Sequence, residues 1–168
     1  MIQTALSIGS NLGNREDYIA SMERELYALL TDAKSSPLME TAPVGVDGLQ
    51  PPYLNKIIAG RYGGAPRGLL DICHAIESRL GRIRAGFKSA RTADVDILLF
   101  GGMIICETDA LHPLVIPHPQ LLNRRFCLEG LMQVCPRMAV PVSGRVFTVA
   151  ELYENMSADT LAQDVSFI

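Results

Sequence analysis

Apolar side chains alternate with small or polar ones over residues 2–8, the period of a half-buried strand. The period then changes. After a Gly-rich turn over 9–14, Ile19, Met22, Leu26, Leu29 and Leu30 recur at helical spacing; Asn14 stands at the N-cap position and Asp17 in the first turn. A second strand is predicted over 34–40. Residues 41–52 are rich in Gly and Pro and are expected to form a loop. The next predicted strand covers 53–62. Pro66 and Gly81 mark the two ends of a helix whose buried face is Leu69, Ile72, Cys73, Ile76 and Leu80. The apolar run Ile97-Leu98-Leu99-Phe100 closes a strand over 94–100. Gly101-Gly102 turns into a short strand over 103–106, and 114–117 is extended again. A short buried helix over 127–134 stops before Pro136. A hairpin-like turn is expected over 139–147 around Ser143-Gly144, and Thr148 with Glu151 makes a capping box for a last helix through Asn155. The tail beyond carries little pattern.

Composition narrows the class. With 168 residues the chain can bury a core, and one domain over 1–168 is expected. Hydrophobic residues at 48% against charged residues at 20% fit a globular protein rather than a disordered one. The net charge of −3 argues against generic nucleic-acid binding. Cys73, Cys106, Cys127 and Cys135 form no CxxC pair and no zinc spacing, so free thiols are expected. No apolar run approaches the ~20 residues that span a membrane, and no leader pattern opens the chain. A reducing cytoplasm is the expected setting.

Charge is local rather than global, and it gathers before the strand over 94–100. Side chains on a strand alternate faces, so Asp94 and Asp96 point the same way. Two adjacent carboxylates repel each other and resist desolvation. A hard divalent cation such as Mg²⁺ relieves both problems and keeps positions open for waters and phosphate oxygens. Residues 78–93 hold no acid but carry Arg79, Arg82, Arg84, Lys88 and Arg91. A basic loop beside two metal-binding carboxylates suits a polyphosphate held from both sides. The plainer alternative is a solvated loop beside a strand that starts with two exposed acids. Charges gathered at a buried strand end favour the site.

Two further places bear on chemistry. Tyr53 and Asn55 share a strand face, and an aromatic plane beside a carboxamide suits a flat heterocycle; a partly exposed Tyr and an edge Asn fit the same pattern. His118 follows a strand end with Arg124 and Arg125 nearby, where it can touch a phosphate or serve the fold. The turn over 9–14 lacks the phosphate-loop and dinucleotide-loop spacings and reads mainly as a turn.

Taken in order, these residues resemble the 6-hydroxymethyl-7,8-dihydropterin pyrophosphokinase family. The resemblance covers residues 5–136. It rests on Gly-Ser-Asn-Leu-Gly at 9–13, Tyr-Leu-Asn at 53–55, Gly-Arg-x-Arg at 81–84, Arg-x-x-Asp-x-Asp at 91–96, and Pro-His at 117–118 with Arg124 and Phe126 downstream. Each motif is short; their joint order and spacing is specific. The resemblance implies an α+β fold of ferredoxin-like type, a mainly antiparallel sheet flanked by helices. It implies that ATP, as co-substrate, gives its β,γ-pyrophosphoryl group to the hydroxymethyl of the pterin and leaves AMP, in folate biosynthesis. Carried over residue by residue, Asp94 and Asp96 hold two Mg²⁺ ions. Arg82, Arg84 and Arg91 are catalytic and clamp phosphates, with Arg84 on a mobile loop. His118 and Arg124 hold the nucleotide. Thr41, Pro43, Val44, Tyr53, Asn55 and Phe126 form the pterin pocket, its ring stacked between Tyr53 and Phe126. One departure stands out: the family's Arg-Trp-Gly-Pro is replaced by Phe87-Lys88-Ser89-Ala90, in a chain with no Trp and a loop about one residue short. Phe87 is the only aromatic left to pack over a closed site.

Two rival readings are weaker. A nucleotidyltransferase also joins a Gly-Ser turn to Asp-x-Asp, but there the two lie close together, whereas Ser10 and Asp94 stand far apart here. An RNA-binding module on a ferredoxin-like sheet needs aromatics on its middle strands and a basic face. Five Phe, five Tyr and a negative net charge do not supply them.

Overall fold

The computed structural model describes residues 1–43, 50–82, 90–108 and 111–168. Along them the elements are β1 Ile2–Ser10, α1 Arg15–Leu29, β2 Thr31–Ser35, β3 Met39–Thr41, β4 Tyr53–Tyr62, α2 Pro66–Arg79 and β5 Asp94–Phe100. Then come β6 Ile105–Glu107, β7 Leu114–Ile116, α3 Arg125–Val134, β8 Ala139–Val142, β9 Arg145–Thr148, α4 Val149–Glu154, α5 Ala158–Leu161 and β10 Val165–Phe167. The fold is a mixture of helices and antiparallel sheet. The main sheet runs β10-β3-β4-β1-β5, and β2 also pairs with β4.

The predicted helices form for the predicted reasons. Asn14 caps α1 by accepting the Asp17 N–H at 3.4 Å, while Asp17 Oδ2 accepts from Asn14 Nδ2 at 2.6 Å. Gly81 follows α2 with φ +76°, a conformation that a side chain disfavours. The capping box of Thr148 and Glu151 opens α4. Three expectations are corrected. The second strand is not continuous over 34–40 but divides into β2 and β3, because Pro37 has no N–H for the ladder. At the break Ser36 N–H bonds Ile57 O at 2.8 Å, and its hydroxyl accepts from Ile57 N at 3.0 Å. The helix of α4 is also not the last element, since α5 and β10 follow it. The strand expected over 103–106 lies two residues later, as β6.

Each sheet face buries its own cluster. Leu6, Ile8, Leu54, Ile58, Val95 and Ile97 pack with α1 and α2. Ala5, Ile57, Ala59 and Leu98 pack with Cys127 and Leu131 of α3. Along this second face the strand period leaves Ser7 and Gly9, Tyr53 and Asn55, and Asp94 and Asp96 at one end of the sheet. The same face is therefore apolar under α3 and polar beyond it.

Close approach of α3 to the sheet rests on Gly130. A Cβ there would stand 2.2 Å from Ile57 Cγ1 and 2.9 Å from Ile57 Cβ. Alanine is better than glycine in a helix by about 1 kcal/mol, yet Gly130→Ala is expected to destabilise the protein by about 1–3 kcal/mol through overpacking. A urea melt reads this directly; a gain in stability would mean that α3 lifts from β4 without cost.

Candidate active site

The site is built around the start of β5. Asp94 Oδ1 accepts from Arg91 Nη1 at 2.9 Å and from Arg82 Nη1 at 2.5 Å. Burial opposes ionisation of Asp94, but Arg91 and Arg82 outweigh it and hold the carboxyl below the usual carboxylate range. Asp94 in turn holds the partly buried Arg91 guanidinium charged against the effect of burial.

Both arginines are fixed from elsewhere. Arg82 also ion-pairs with Glu77, a carboxylate only 3% exposed on α2. Glu77 Oε1 accepts the backbone N–H of Val95 at 2.9 Å, between the two aspartates. Strand β5 has β1 on one side only, so Glu77 satisfies a donor on its open edge. Arg91 is set by Asn11, in the turn after β1. Asn11 N–H bonds Arg91 O at 3.1 Å, and Arg91 N–H bonds Asn11 Oδ1 at 2.8 Å. Asn11 Nδ2 also reaches Gln50 Oε1 and Pro51 O, each at 3.3 Å. A single buried carboxamide thus joins three loops, and the turn over 9–14 has a positioning role that its spacing did not reveal.

Asp96 has looser partners. Its Oδ2 lies 3.8 Å from His118 Nε2 and 3.7 Å from Arg124 Nη1. Burial and the adjacent Asp94 charge raise its pKa to about 7. His118 is brought alongside by its backbone N–H, which bonds Leu98 O at 2.9 Å on β5. Its Nδ1 accepts from Gln120 N at 3.1 Å, which assigns the ring proton to Nε2, facing Asp96. Burial and Arg124 lower the His118 pKa to about 4, so the ring is neutral at pH 7.

A pocket opens beside these charges on the α3 face of the sheet. Thr41, Tyr53, Asn55, Arg91, Asp94 and Phe126 line it, and Arg124 reaches it as well. Asn55 Nδ2 donates to Thr41 Oγ1 at 2.9 Å, which fixes the carboxamide. Gly9 forms the floor, since a Cβ there would stand 2.9 Å from Asn55 Oδ1. The arrangement joins an aromatic slot with fixed amide groups to a cluster of arginine and carboxylate.

The structure brings together Thr41, Tyr53, Asn55, Arg82, Arg91, Asp94, Asp96, His118, Arg124 and Phe126 around one site. Pro43 is half-buried, and Ala42 rather than Pro43 lines the pocket. Val44, Arg84 and Phe87, with the loop expected to close, lie outside the described residues. Sequence reasoning missed Glu77, Asn11, Gln163 and Asp164, the last two also lining the pocket. Glu77 carried a signal: an acid next to Ile76 and four residues from Cys73 sits on the apolar face of its helix.

Comparison with known proteins finds relatives over most of the chain. The family model described as 7,8-dihydro-6-hydroxymethylpterin-pyrophosphokinase matches residues 5–136. A Bacillus subtilis 2-amino-4-hydroxy-6-hydroxymethyldihydropteridine pyrophosphokinase is 37% identical over 135 residues, covering 79% of this chain and 78% of that protein. The Pneumocystis carinii folic acid synthesis protein fol1 is 32% identical over 90% of this chain, which spans only 20% of that protein. A crystal structure of a Plasmodium falciparum HPPK-DHPS triple mutant with pteroate superposes over 92% of this chain with a TM-score of 0.70. At 14% identity, with 43% of that chain covered, the last likeness concerns the fold.

The unequal aspartates are expected to respond oppositely to neutralisation in metal-free buffer. Asp96→Asn removes a like-charge repulsion and should raise stability by about 0.5–2 kcal/mol at pH 7. Asp94→Asn deprives two arginines of their shared anion and should lower it by about 1–3 kcal/mol. The raised Asp96 pKa means that the folded state binds its proton more tightly than the unfolded chain does. The stabilisation from that proton is present at acid pH and is lost as pH rises to about 7. Urea melts of the variants between pH 4 and 8 read both effects; equal responses to the two substitutions would contradict the asymmetry.

Proposed function

The chain belongs to the 7,8-dihydro-6-hydroxymethylpterin-pyrophosphokinase family, and from that membership we propose how its residues divide the work. The protein is an ATP-dependent pyrophosphokinase of folate biosynthesis. It transfers the β,γ-pyrophosphoryl group of ATP to the hydroxymethyl of the dihydropterin and leaves AMP. The observation that carries the division of labour is the one continuous site in which Asp94 borders both the arginines and the Tyr53–Asn55 pocket.

In our reading the pterin ring lies between Tyr53 and Phe126, with Thr41 at its edge and Asn55 reading it by hydrogen bonds; Pro43 and Val44 are assigned to the edge on the resemblance alone. Burying a heterocycle's polar edge demands fixed partners, and the Thr41–Asn55 bond supplies that preorganisation. Asp94 and Asp96 would hold two Mg²⁺ ions. The donor set fits: both are hard oxygen ligands on one strand face, and the Asp94 charge raises the Asp96 pKa, a repulsion that a cation would relieve. Bound there, Mg²⁺ supplies charge neutralisation of the triphosphate and polarisation of the substrate hydroxyl.

The chain's own cations do the rest. Arg82 and Arg91 share Asp94 Oδ1, and a triphosphate offers them further oxygens at the same place. Arg84 is assigned to the phosphates on the resemblance alone. His118, neutral at pH 7, donates a hydrogen bond from Nε2 without adding charge, while Arg124 is the cation at the nucleotide end. The hydroxymethyl oxygen attacks the β-phosphorus, the bond from that phosphorus to the α-phosphate oxygen breaks, and AMP departs. Such transfer depends mainly on positioning and charge stabilisation. We further read the sheet order, with α1 and α2 on one face, as ferredoxin-like, and residues 1–168 as one domain in a cytoplasmic enzyme.

With Mg²⁺, ATP and the hydroxymethyl dihydropterin, the purified protein is expected to release AMP in step with product, measured by anion-exchange chromatography. Stoichiometric ADP would mean attack at the γ-phosphorus. Asn55→Ala is expected to weaken pterin binding at least tenfold, because a lost partner strands the heterocycle's polar groups. Affinity for a non-hydrolysable ATP analogue should change by less than about twofold in that variant. Equal losses for the two ligands would assign Asn55 to the fold instead.

A further inference from the structure

The family match ends at residue 136, yet the pocket is completed by Gln163, Asp164 and Val165, near the end of the chain. These residues belong to a segment that bonds both walls of the pocket. On one wall is the stretch that leads into α3 and carries Arg124 and Phe126. Gln163 Nε2 donates to Asn123 O at 2.7 Å, and Gln163 Oε1 accepts the Arg125 N–H at 3.0 Å. The Gln163 carboxamide thus grips the backbone on both sides of Arg124. Arg125 returns the grip, its Nη1 donating to Leu161 O at 3.0 Å and Gln163 O at 3.2 Å. Thr160 Oγ1 adds a bond to Leu122 O at 3.2 Å. On the other wall β10 pairs with β3, placing Val165 opposite Thr41, the partner of Asn55.

The opposite wall has few ties of its own at this point. Strand β3 is three residues long and would be the edge of the sheet without β10. The N-cap residue of α3, Arg124, makes no side-chain capping bond, so its side chain does not fix how residues 122–126 enter the helix. The late segment supplies both constraints at once.

We propose that residues 158–167 form a strap that sets the spacing of the two walls of the heterocycle pocket, with Gln163 as its positioning residue. The inference rests on the reading that the pterin occupies this pocket. A ring sandwiched between aromatic faces is sensitive to their separation, because dispersion contact falls steeply with small gaps. The triphosphate has anchors the strap does not touch, in Arg82, Arg91 and the two aspartates. The strap therefore governs affinity for the heterocycle and reaches the nucleotide only through Arg124, whose flanking backbone it holds.

Two variants of the full chain test this, each cutting one anchor. Gln163→Leu removes the two carboxamide bonds to the Phe126 wall, and Ser166→Pro breaks the pairing with β3. Affinity for the pterin is read by fluorescence quenching, affinity for a Mg²⁺-bound non-hydrolysable ATP analogue by calorimetry, and thermal melts report the fold. Each variant is expected to raise Kd and KM for the pterin about tenfold, the effect of losing one or two net hydrogen bonds. The Kd for the ATP analogue should rise by no more than about threefold, through Arg124, and kcat should stay within about threefold, a split that general loss of structure would not produce. Pterin affinity within twofold of wild type in both variants, while Asn55→Ala loses it, would overturn the strap and keep the pocket. Parallel loss of both ligands would overturn it too. If Asn55→Ala also leaves pterin binding intact, the pocket assignment falls and the strap with it.

Discussion

Two carboxylates on one face of a buried strand are the constraint around which this site is arranged. Strand geometry makes Asp94 and Asp96 neighbours, and burial makes their repulsion costly. The protein answers unequally. Asp94 receives two guanidiniums at hydrogen-bond distance and stays ionised; Asp96 receives only Arg124 and a neutral His118 at 3.7 and 3.8 Å. Asp96 is thus left the less compensated carboxylate of the pair. Stability given up at such a place is an ordinary companion of function.

The arginines answer to this constraint through one residue close by in sequence and one far from it. Glu77 holds Arg82 and the open edge of β5 together. Asn11 holds Arg91 by a two-bond ring and ties in the loop at Gln50 and Pro51. Each is buried, and each satisfies backbone donors that would otherwise lack a partner. The arginine end of the site is thus held in place by Glu77 and Asn11, which fix where the guanidiniums point.

The Tyr53–Asn55 end of the site depends on the parity of the strands. Ser7, Gly9, Tyr53, Asn55 and Asp94 line one pocket because antiparallel register places their positions side by side on the α3 face. Gly9 keeps the floor low where any side chain would meet Asn55. Thr41 arrives on β3 in register with Tyr53 and turns the Asn55 carboxamide. The chain's late return as β10 then closes the wall that the short β3 leaves open.

Much of this was legible in the amino-acid order. The pairing of Asp94 with Asp96 and of Tyr53 with Asn55 on shared faces follows from a period of two, and the ends of α1, α2 and α4 follow from Asn14, Gly81 and the Thr148–Glu151 box. These are local effects, decided within a few residues by backbone geometry and caps. The ordered motifs also carried the family resemblance, and with it the reaction. What the order did not contain was the path of the loops. Asn11 meets Arg91, Glu77 meets Val95, and Gln163 meets Asn123 and Arg125 only because the folded sheet brings distant segments together. Pro37 split a strand that the apolar pattern ran together, since the pattern records burial and not the ladder's donors. The tail had no period to read because its value lies in pairing with β3 and capping backbone groups near α3, contacts that exist only in the tertiary structure. Local sequence therefore determined the elements and the chemistry each could offer; long-range hydrogen bonding decided which of those groups face one another.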